Sequence, residues 1–231
     1  MTSEARRRQA RGKRRMEQLL DAAAVVFGEC GYTRASTNAI AREAGVSPGT
    51  LYQFFPNKEA IAVQLGERLM RQMLEAHGQV FTDANVSLPL DEMLDAILDP
   101  IIEFNLRNPA FLALIHGSDA PGEIASDKEV LHAILQRQVE ETVALRAPDL
   151  PHDECVRVAT TAFAVFRAGL CLAMQYQEPE RAAYTVEVKA ALARYLAPVI
   201  GTEARAVRRW DSGAGVSAAG RTGPVARGVR R

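Results

Sequence analysis

Residues 36–58 read Ser-Thr-Asn-Ala-Ile-Ala-Arg-Glu-Ala-Gly-Val-Ser-Pro-Gly-Thr-Leu-Tyr-Gln-Phe-Phe-Pro-Asn-Lys, and no other stretch of the chain restricts its fold so tightly. Ser36 is a good helix N-cap, because its hydroxyl can accept a hydrogen bond from an otherwise unpaired first-turn amide. Ile40, Ala41 and Ala44 then fall on one helical face. Gly45 supplies the left-handed residue that commonly ends a helix. Ser47 caps a second segment, with Pro48 at its first helical position, where a missing N–H costs nothing. Leu51, Tyr52 and Phe55 carry the apolar face of that segment, and Pro56-Asn57 stops it. Two short helices joined by a glycine-bearing turn make a helix-turn-helix, whose second helix is dimensioned for a DNA major groove.

Physical chemistry assigns parts to these residues. Cations beside phosphates give affinity, and Arg34, Lys58 and the basic N-terminus supply them. The hydroxyls of Ser36, Thr37 and Tyr52, with the amides opening the second helix, can hold phosphate oxygens. Ser47, Pro48, Gly49, Thr50 and Gln53 are short or amide-bearing, which lets the backbone come close to base edges. Gln53 can pair bidentately with adenine, and a carbon of Thr50 or Pro48 can touch a thymine methyl. Ile40, Ala41, Ala44, Val46, Leu51 and Phe55 are expected in the core, with Tyr52 divided between packing and phosphate.

The series Gly31-Tyr32, Ile40-Ala41, Ala44-Gly45-Val46-Ser47, Gly49-Thr50-Leu51-Tyr52, Phe55 and Asn57-Lys58-Glu59 resembles the N-terminal domain of TetR-family transcriptional regulators. The resemblance covers roughly residues 15–62. It implies DNA contacts at Thr37, Asn38, Gly49, Thr50, Tyr52 and Lys58, a homodimer formed through the last two helices, and a small-molecule effector in the C-terminal domain. Asn38 stands where some relatives have arginine, so the resemblance implies no guanine contact from that position.

Charge is segregated along the chain. Residues 1–15 carry a net +6 and residues 203–231 a net +5, against −11 for residues 16–202, so the formal net charge is zero. An acidic body with basic ends suits a DNA binder whose attraction is confined to one face; the basic run could alternatively serve solubility alone. Cys30, Cys155 and Cys171 are odd in number and widely spaced, as expected of reduced thiols in a cytoplasmic protein. No secretory signal is recognisable. The longest apolar stretch, 162–174, is interrupted by Arg167 and falls short of the ~20 residues of a membrane span.

The pattern predicts an all-α chain: an N-terminal helix-turn-helix DNA-binding domain and a larger helical domain for effector binding and dimerisation. Residues 1–14 are expected as a flexible basic arm, 15–62 as the DNA-binding domain (motif 36–55), 63–202 as the second domain, and 203–231 as a disordered basic tail in which only Trp210 hints at docking. Helices are expected at about 15–31, 57–78, 90–106, 110–117, 125–146, 153–176 and 180–198, besides the two of the motif. The sequence 82–89 is expected as a connection and 117–122 as a loop.

Ala159, Ala162, Ala164, Ala168, Gly169 and Ala173 permit close helix approach, either across a dimer or within the chain. Arg167, in an apolar run, meets either an anionic or carbonyl-bearing effector in a pocket lined by Phe104, Phe111, Phe163 and Phe166, or an acidic residue across the dimer. Histidines 77, 116, 132 and 152 lack metal-ligand spacing and are expected on surfaces or in loops. No metal, cofactor or catalytic motif is expected. The function predicted is a repressor released from a pseudo-palindromic operator by a small molecule. Its rivals are an activator or ligand-independent DNA binder with the same head, and a helical small-molecule-binding protein or enzyme with a vestigial one.

Overall fold

Ten helices make up the regular structure of residues 3–78, 80–115 and 122–207, which the computed structural model describes. They are α1 (Ser3–Arg34), α2 (Thr37–Glu43), α3 (Pro48–Tyr52), α4 (Lys58–Gly78), α5 (Asp83–Val86), α6 (Leu90–Arg107), α7 (Pro109–Ile115), α8 (Gly122–Arg146), α9 (His152–Ala173) and α10 (Glu180–Ile200). No strand occurs among the described residues, as the scarcity of alternating β-branched runs predicts.

The first departure from expectation is α1. The residues expected as a flexible arm are helical from Ser3 onward. Arginine, alanine, glutamine and lysine are strong helix formers. Extending a helix already nucleated by a packed segment costs little. Arg6, Arg7, Arg11, Lys13, Arg14 and Arg15 remain exposed along it. The regular part ends at Gly31, whose φ of 74° is left-handed. In the 82–89 connection a single helical turn, α5, forms because Thr82 caps it, its Oγ1 accepting from Asn85 N at 3.2 Å. Helix α9 stops at Ala173, three residues early. The loop expected at 117–122 falls mostly outside the described residues, with Gly122 already the first residue of α8.

Helices α1–α3 and the start of α4 form the head. Phe27, Ile40, Leu51, Ile61 and Leu65 are fully buried there. Polar cross-links fix the angles between helices. Gln18 Nε2 donates to the Ala44 carbonyl at the end of α2 (2.6 Å), and Arg68 on α4 pairs with Glu17 (3.2 Å) and Asp21 (2.8 Å) on α1. Helix α4 runs unbroken through residue 62, so the expected boundary between head and body falls inside one helix. The body makes a second contact with the head through α7, which lies on α1 at Gly28. A Cβ there would come within 2.9 Å of Pro109 Cγ, so only glycine admits this approach without a shift.

In the body, α4, α6, α8, α9 and α10 surround an apolar interior. Gly169 on α9 lets α10 come close, since a Cβ would meet Val188 Cγ2 at 2.3 Å. The far end is closed by Arg146, which is fully buried and faces no carboxylate within ion-pair range among the described residues. Its guanidinium donates instead to the carbonyls of Val86 (3.1 Å), Leu88 (2.6 Å), Gly201 (3.4 Å) and Glu203 (2.9 Å). The Gly201 carbonyl lies just past the end of α10, where helix dipoles concentrate negative potential. This clasp also corrects the tail. Residues 203–207 lie against the α5–α6 turn, with Arg205 N bonded to Ser87 O at 3.0 Å and Arg205 Nη1 to Arg146 O at 2.5 Å. Residues 208–231, Trp210 included, lie outside the described residues.

Helix α9 also corrects the expectation of no long apolar segment. By length and composition it could cross a bilayer, with a mean hydropathy of 1.5 over its window. Only 28% of that window is buried in the single chain.

Candidate DNA-binding face and effector cavity

The turn between α2 and α3 follows the Schellman pattern. Gly45, at φ 64°, donates to Arg42 O (3.0 Å), and Val46 N reaches back to Ala41 O (2.9 Å). Ser36 Oγ accepts from Ala39 N and Ser47 Oγ from Thr50 N, each at 3.1 Å, so both expected caps form. Helix α3 is shorter than the motif suggests. Its regular part ends at Tyr52, and Gln53 and Phe54 continue as turns bonded to Thr50 O and Leu51 O. With Leu51 and Phe55 buried beneath, Ser47, Pro48, Gly49, Tyr52 and Gln53 are exposed and Thr50 is half-buried. The residues expected to face the groove therefore share one outward surface.

Two hydroxyl pairs tighten that surface. Thr37 Oγ1 and Tyr52 OH are 3.0 Å apart and join α2 to α3; Ser47 Oγ and Thr50 Oγ1 are 2.9 Å apart. Each pair has two hydroxyl hydrogens and uses one internally, leaving one to donate outward. Tyr52 is 52% exposed, so its ring faces solvent more than core. Asn38 is exposed beside Thr37.

Lys58 is placed differently from the expected phosphate contact. Its half-buried ammonium donates to the carbonyls of Tyr32 (2.8 Å), Thr33 (3.2 Å) and Ala35 (3.0 Å) and lies 4.4 Å from the Tyr32 ring centroid. An ammonium has three hydrogens, and all three are engaged. Lys58 thus ties the start of α4 to the end of α1. Arg34 is exposed; its Nε donates to Cys30 O (3.0 Å), which leaves its terminal amino groups outward.

The body holds a cavity of about 110 Å³ bounded by α4, α6, α7, α8, α9 and α10. At roughly 10–15 Å³ of such volume per water it has room for several groups of that size. Phe111, Phe163, Phe166 and Arg167 line it as expected. Phe104 does not; it packs edge-on against Phe111, centroids 5.4 Å apart, behind the wall. Arg167 is exposed rather than buried, so it needs no paired acid within the chain. Its Nη1 lies 3.3 Å from Nδ1 of His132, a ring set edge-on to Phe163. Burial first and the Arg167 charge second hold the His132 pKa below the usual histidine range.

His77, expected on the surface, is buried in the cavity wall, and Asn105 and Thr142 line the same wall. The sequence carries a signal for His77: Ile61, Leu65, Leu69 and Met73 recur every four residues, and His77 is the next step of that buried stripe. His152 is exposed, and His116 lies outside the described residues.

Of the small residues expected to allow close helix approach, Ala159, Ala162 and Ala173 are buried within the chain and Gly169 meets Val188; Ala164 and Ala168 alone face outward. Leu172 on α9 and Val186 and Tyr195 on α10 are exposed as well.

Residues 19–65 match the domain described as "Bacterial regulatory proteins, tetR family", and residues 89–196 match "Tetracyclin repressor-like, C-terminal domain". The fatty acid metabolism regulator protein of Bacillus subtilis is 43% identical over 58 residues, 25% of this chain and 30% of that protein. An uncharacterized HTH-type transcriptional regulator of the same organism, YhgD, is 31% identical over 111 residues, 48% of this chain and 56% of that protein. The chain thus spans less than two thirds of the length of either relative. A crystal structure of a tetR-family transcriptional regulator from Streptomyces coelicolor superposes with a TM-score of 0.64 at 18% identity, covering 81% of this chain and 82% of that one. Both halves of the described architecture match their counterparts, and the chain belongs to the TetR family of bacterial regulatory proteins.

Proposed function

We propose that this protein is a homodimeric, DNA-binding transcriptional regulator, a repressor that leaves a pseudo-palindromic operator when a small molecule occupies its cavity. The observation that carries this is the span of α4. One end, at Lys58, is tied to the head through the carbonyls of Tyr32, Thr33 and Ala35, and the other contributes Met73 and His77 to the cavity. A ligand that moves the cavity end of α4 moves the head with it. Such coupling between two sites is typically worth ~1–3 kcal/mol.

Direct readout falls to Pro48, Gly49, Thr50 and Gln53, and Asn38 adds an exposed amide. Phosphates are met by Ser36, the Thr37–Tyr52 and Ser47–Thr50 pairs, Arg34 and the basic face of α1, while Lys58 holds the scaffold. Two heads on a two-fold axis read half-sites one or more helical turns apart. The exposed strip formed by Ala164, Ala168, Leu172, Val186 and Tyr195 is the dimer surface, and a second copy accounts for the apolar residues that α9 leaves uncovered. Arg167 stands at the cavity mouth, where the polar end of an effector would meet it.

The test joins three readouts on the full chain, using DNA fragments captured from genomic DNA. Specific duplex affinity should fall steeply with salt, in proportion to the phosphates contacted. Ala168→Glu should convert dimer to monomer in sedimentation and weaken specific binding well beyond non-specific binding. Arg167→Met should leave the dimer intact and blunt ligand-driven release. Salt-insensitive binding, or an unchanged dimer in Ala168→Glu, contradicts the proposal.

A further inference from the structure

His77 closes α4 at 4% exposure, its ring stacked on Phe81 with centroids 6.3 Å apart. Among the described residues, neither ring nitrogen has a hydrogen-bond partner. Burial holds its pKa down at about 4, so the ring is neutral near pH 7. A neutral imidazole presents one donor and one acceptor. Asn105 lines the same cavity at 1% exposure. Its Nδ2 donates to Ile101 O at 2.8 Å, and its Oδ1 is unpaired. The third polar group of this buried wall, Thr142, is already engaged, donating to Gln138 O at 2.8 Å. Almost everything else around them is Met, Leu, Ile, Val and Phe, where an unmade hydrogen bond is expensive.

The two open groups ask for particular chemistry. His77 is matched by a group that both donates and accepts, and Asn105 Oδ1 by a donor. One hydroxyl suits either: it can accept from or donate to a His77 ring nitrogen, or give its single hydrogen to Asn105 Oδ1. A carboxylate cannot donate to Asn105 Oδ1, and among the described residues lining the cavity the one full positive charge is Arg167. Arg167 is exposed to solvent. The lining positions on α6 run from Met93 to Asn105, about 18 Å of helix rise, so the apolar wall is long.

We infer that the ligand is an elongated, mainly apolar molecule carrying a hydroxyl within its apolar body, and that the unmade hydrogen bond of His77 or of Asn105 selects that hydroxyl. This rests on the cavity being the effector site, and it adds the feature by which the effector is distinguished from a plain aliphatic chain.

The test is calorimetric titration of the full chain with dodecanoate and with a panel of dodecanoates bearing one hydroxyl at successive carbons. At least one hydroxylated isomer should bind tenfold or more tightly than dodecanoate, because an unmade bond is recovered. His77→Phe or Asn105→Leu, which offer shape without a polar atom, should erode that preference, the variant that does so naming the partner; a preference retained in both overturns the inference. His77→Gln, which keeps a donor and an acceptor, should retain it. Should an apolar variant fail to fold by circular dichroism, the wild-type panel and His77→Gln decide. Dodecanoate binding as tightly as every hydroxylated isomer overturns the inference, and so does a panel that does not bind at all. Duplex release is followed in the same titrations. A hydroxyl preference without release leaves this inference standing and removes the repressor reading; release without a hydroxyl preference does the reverse.

Discussion

The head and the cavity treat polar side chains in opposite ways. In the head they pair with one another: Ser47 with Thr50, Thr37 with Tyr52, and Lys58 with three carbonyls at the end of α1. Those bonds set the outward surface before any partner arrives, which lowers the ordering cost of binding. In the cavity, His77 and Asn105 are buried with unpaired atoms. There the cost is carried by the folded protein and is recovered by whatever bonds to them. On the proposed reading the outer surface meets a rigid, repeating partner and the inner one a small molecule that completes it.

The most severe way to break the outer half of that comparison is Gly49→Asp. A Cβ at this position would have only Ser47 Oγ nearby, at 3.9 Å, so a side chain fits and the fold should hold. Its carboxylate would project from the face proposed to approach phosphates, and like-charge juxtaposition costs several kcal/mol. Duplex affinity should drop about a thousandfold by fluorescence anisotropy, with the melting temperature nearly unchanged. Retained affinity would mean that α3 does not enter the groove.

The inner half is probed by acid. The folded-state pKa of His77 is about 4 against an ordinary 6.5. Below 6.5 the unfolded chain takes up a proton that the folded chain refuses. Stability from this residue is therefore present above 6.5 and lost as pH falls toward 4, by about 3 kcal/mol in total. In urea titrations at stepped pH, His77→Phe should gain on the wild type by about that amount between pH 6.5 and 4, while other titrating groups cancel in the difference. Parallel curves would show that His77 is hydrated, and the contrast with the head would vanish.

What can be seen in the sequence divides along the same line. The turn is legible because its determinants are local: two serine caps three residues from the amides they serve, a proline at a first helical position, and a glycine at positive φ. The clasp at Arg146 is not, since its carbonyl partners lie 55 to 60 residues away in two other segments. The helical start of α1 is hidden by composition, because a run of arginines is solvated equally as coil or helix. His77 is legible in spacing but not in chemistry: the four-residue stripe marks the position as buried, yet only the tertiary structure shows that no partner reaches the ring. Phe104 illustrates the limit of counting aromatics, since a single residue step on α6, about 100° of rotation, separates it from the wall position Asn105.

A smaller effect separates scaffold from contact within the head itself. The motif alone places Lys58 beside a phosphate, and its three hydrogens are instead given to Tyr32, Thr33 and Ala35. Lys58→Met keeps the aliphatic stem and removes the ammonium. Losing the partner of three carbonyls at the end of α1 should cost about 2 kcal/mol, partly relieved because the Thr33 carbonyl is exposed. Chemical denaturation should show this loss. The slope of log affinity against log salt should stay as in the wild type, because no phosphate contact disappears, whereas a true phosphate-binding lysine would reduce that slope by about one. Unchanged stability with a shallower slope would return Lys58 to the DNA surface and leave the junction of α1 and α4 to be held by Arg68 with Glu17 and Asp21.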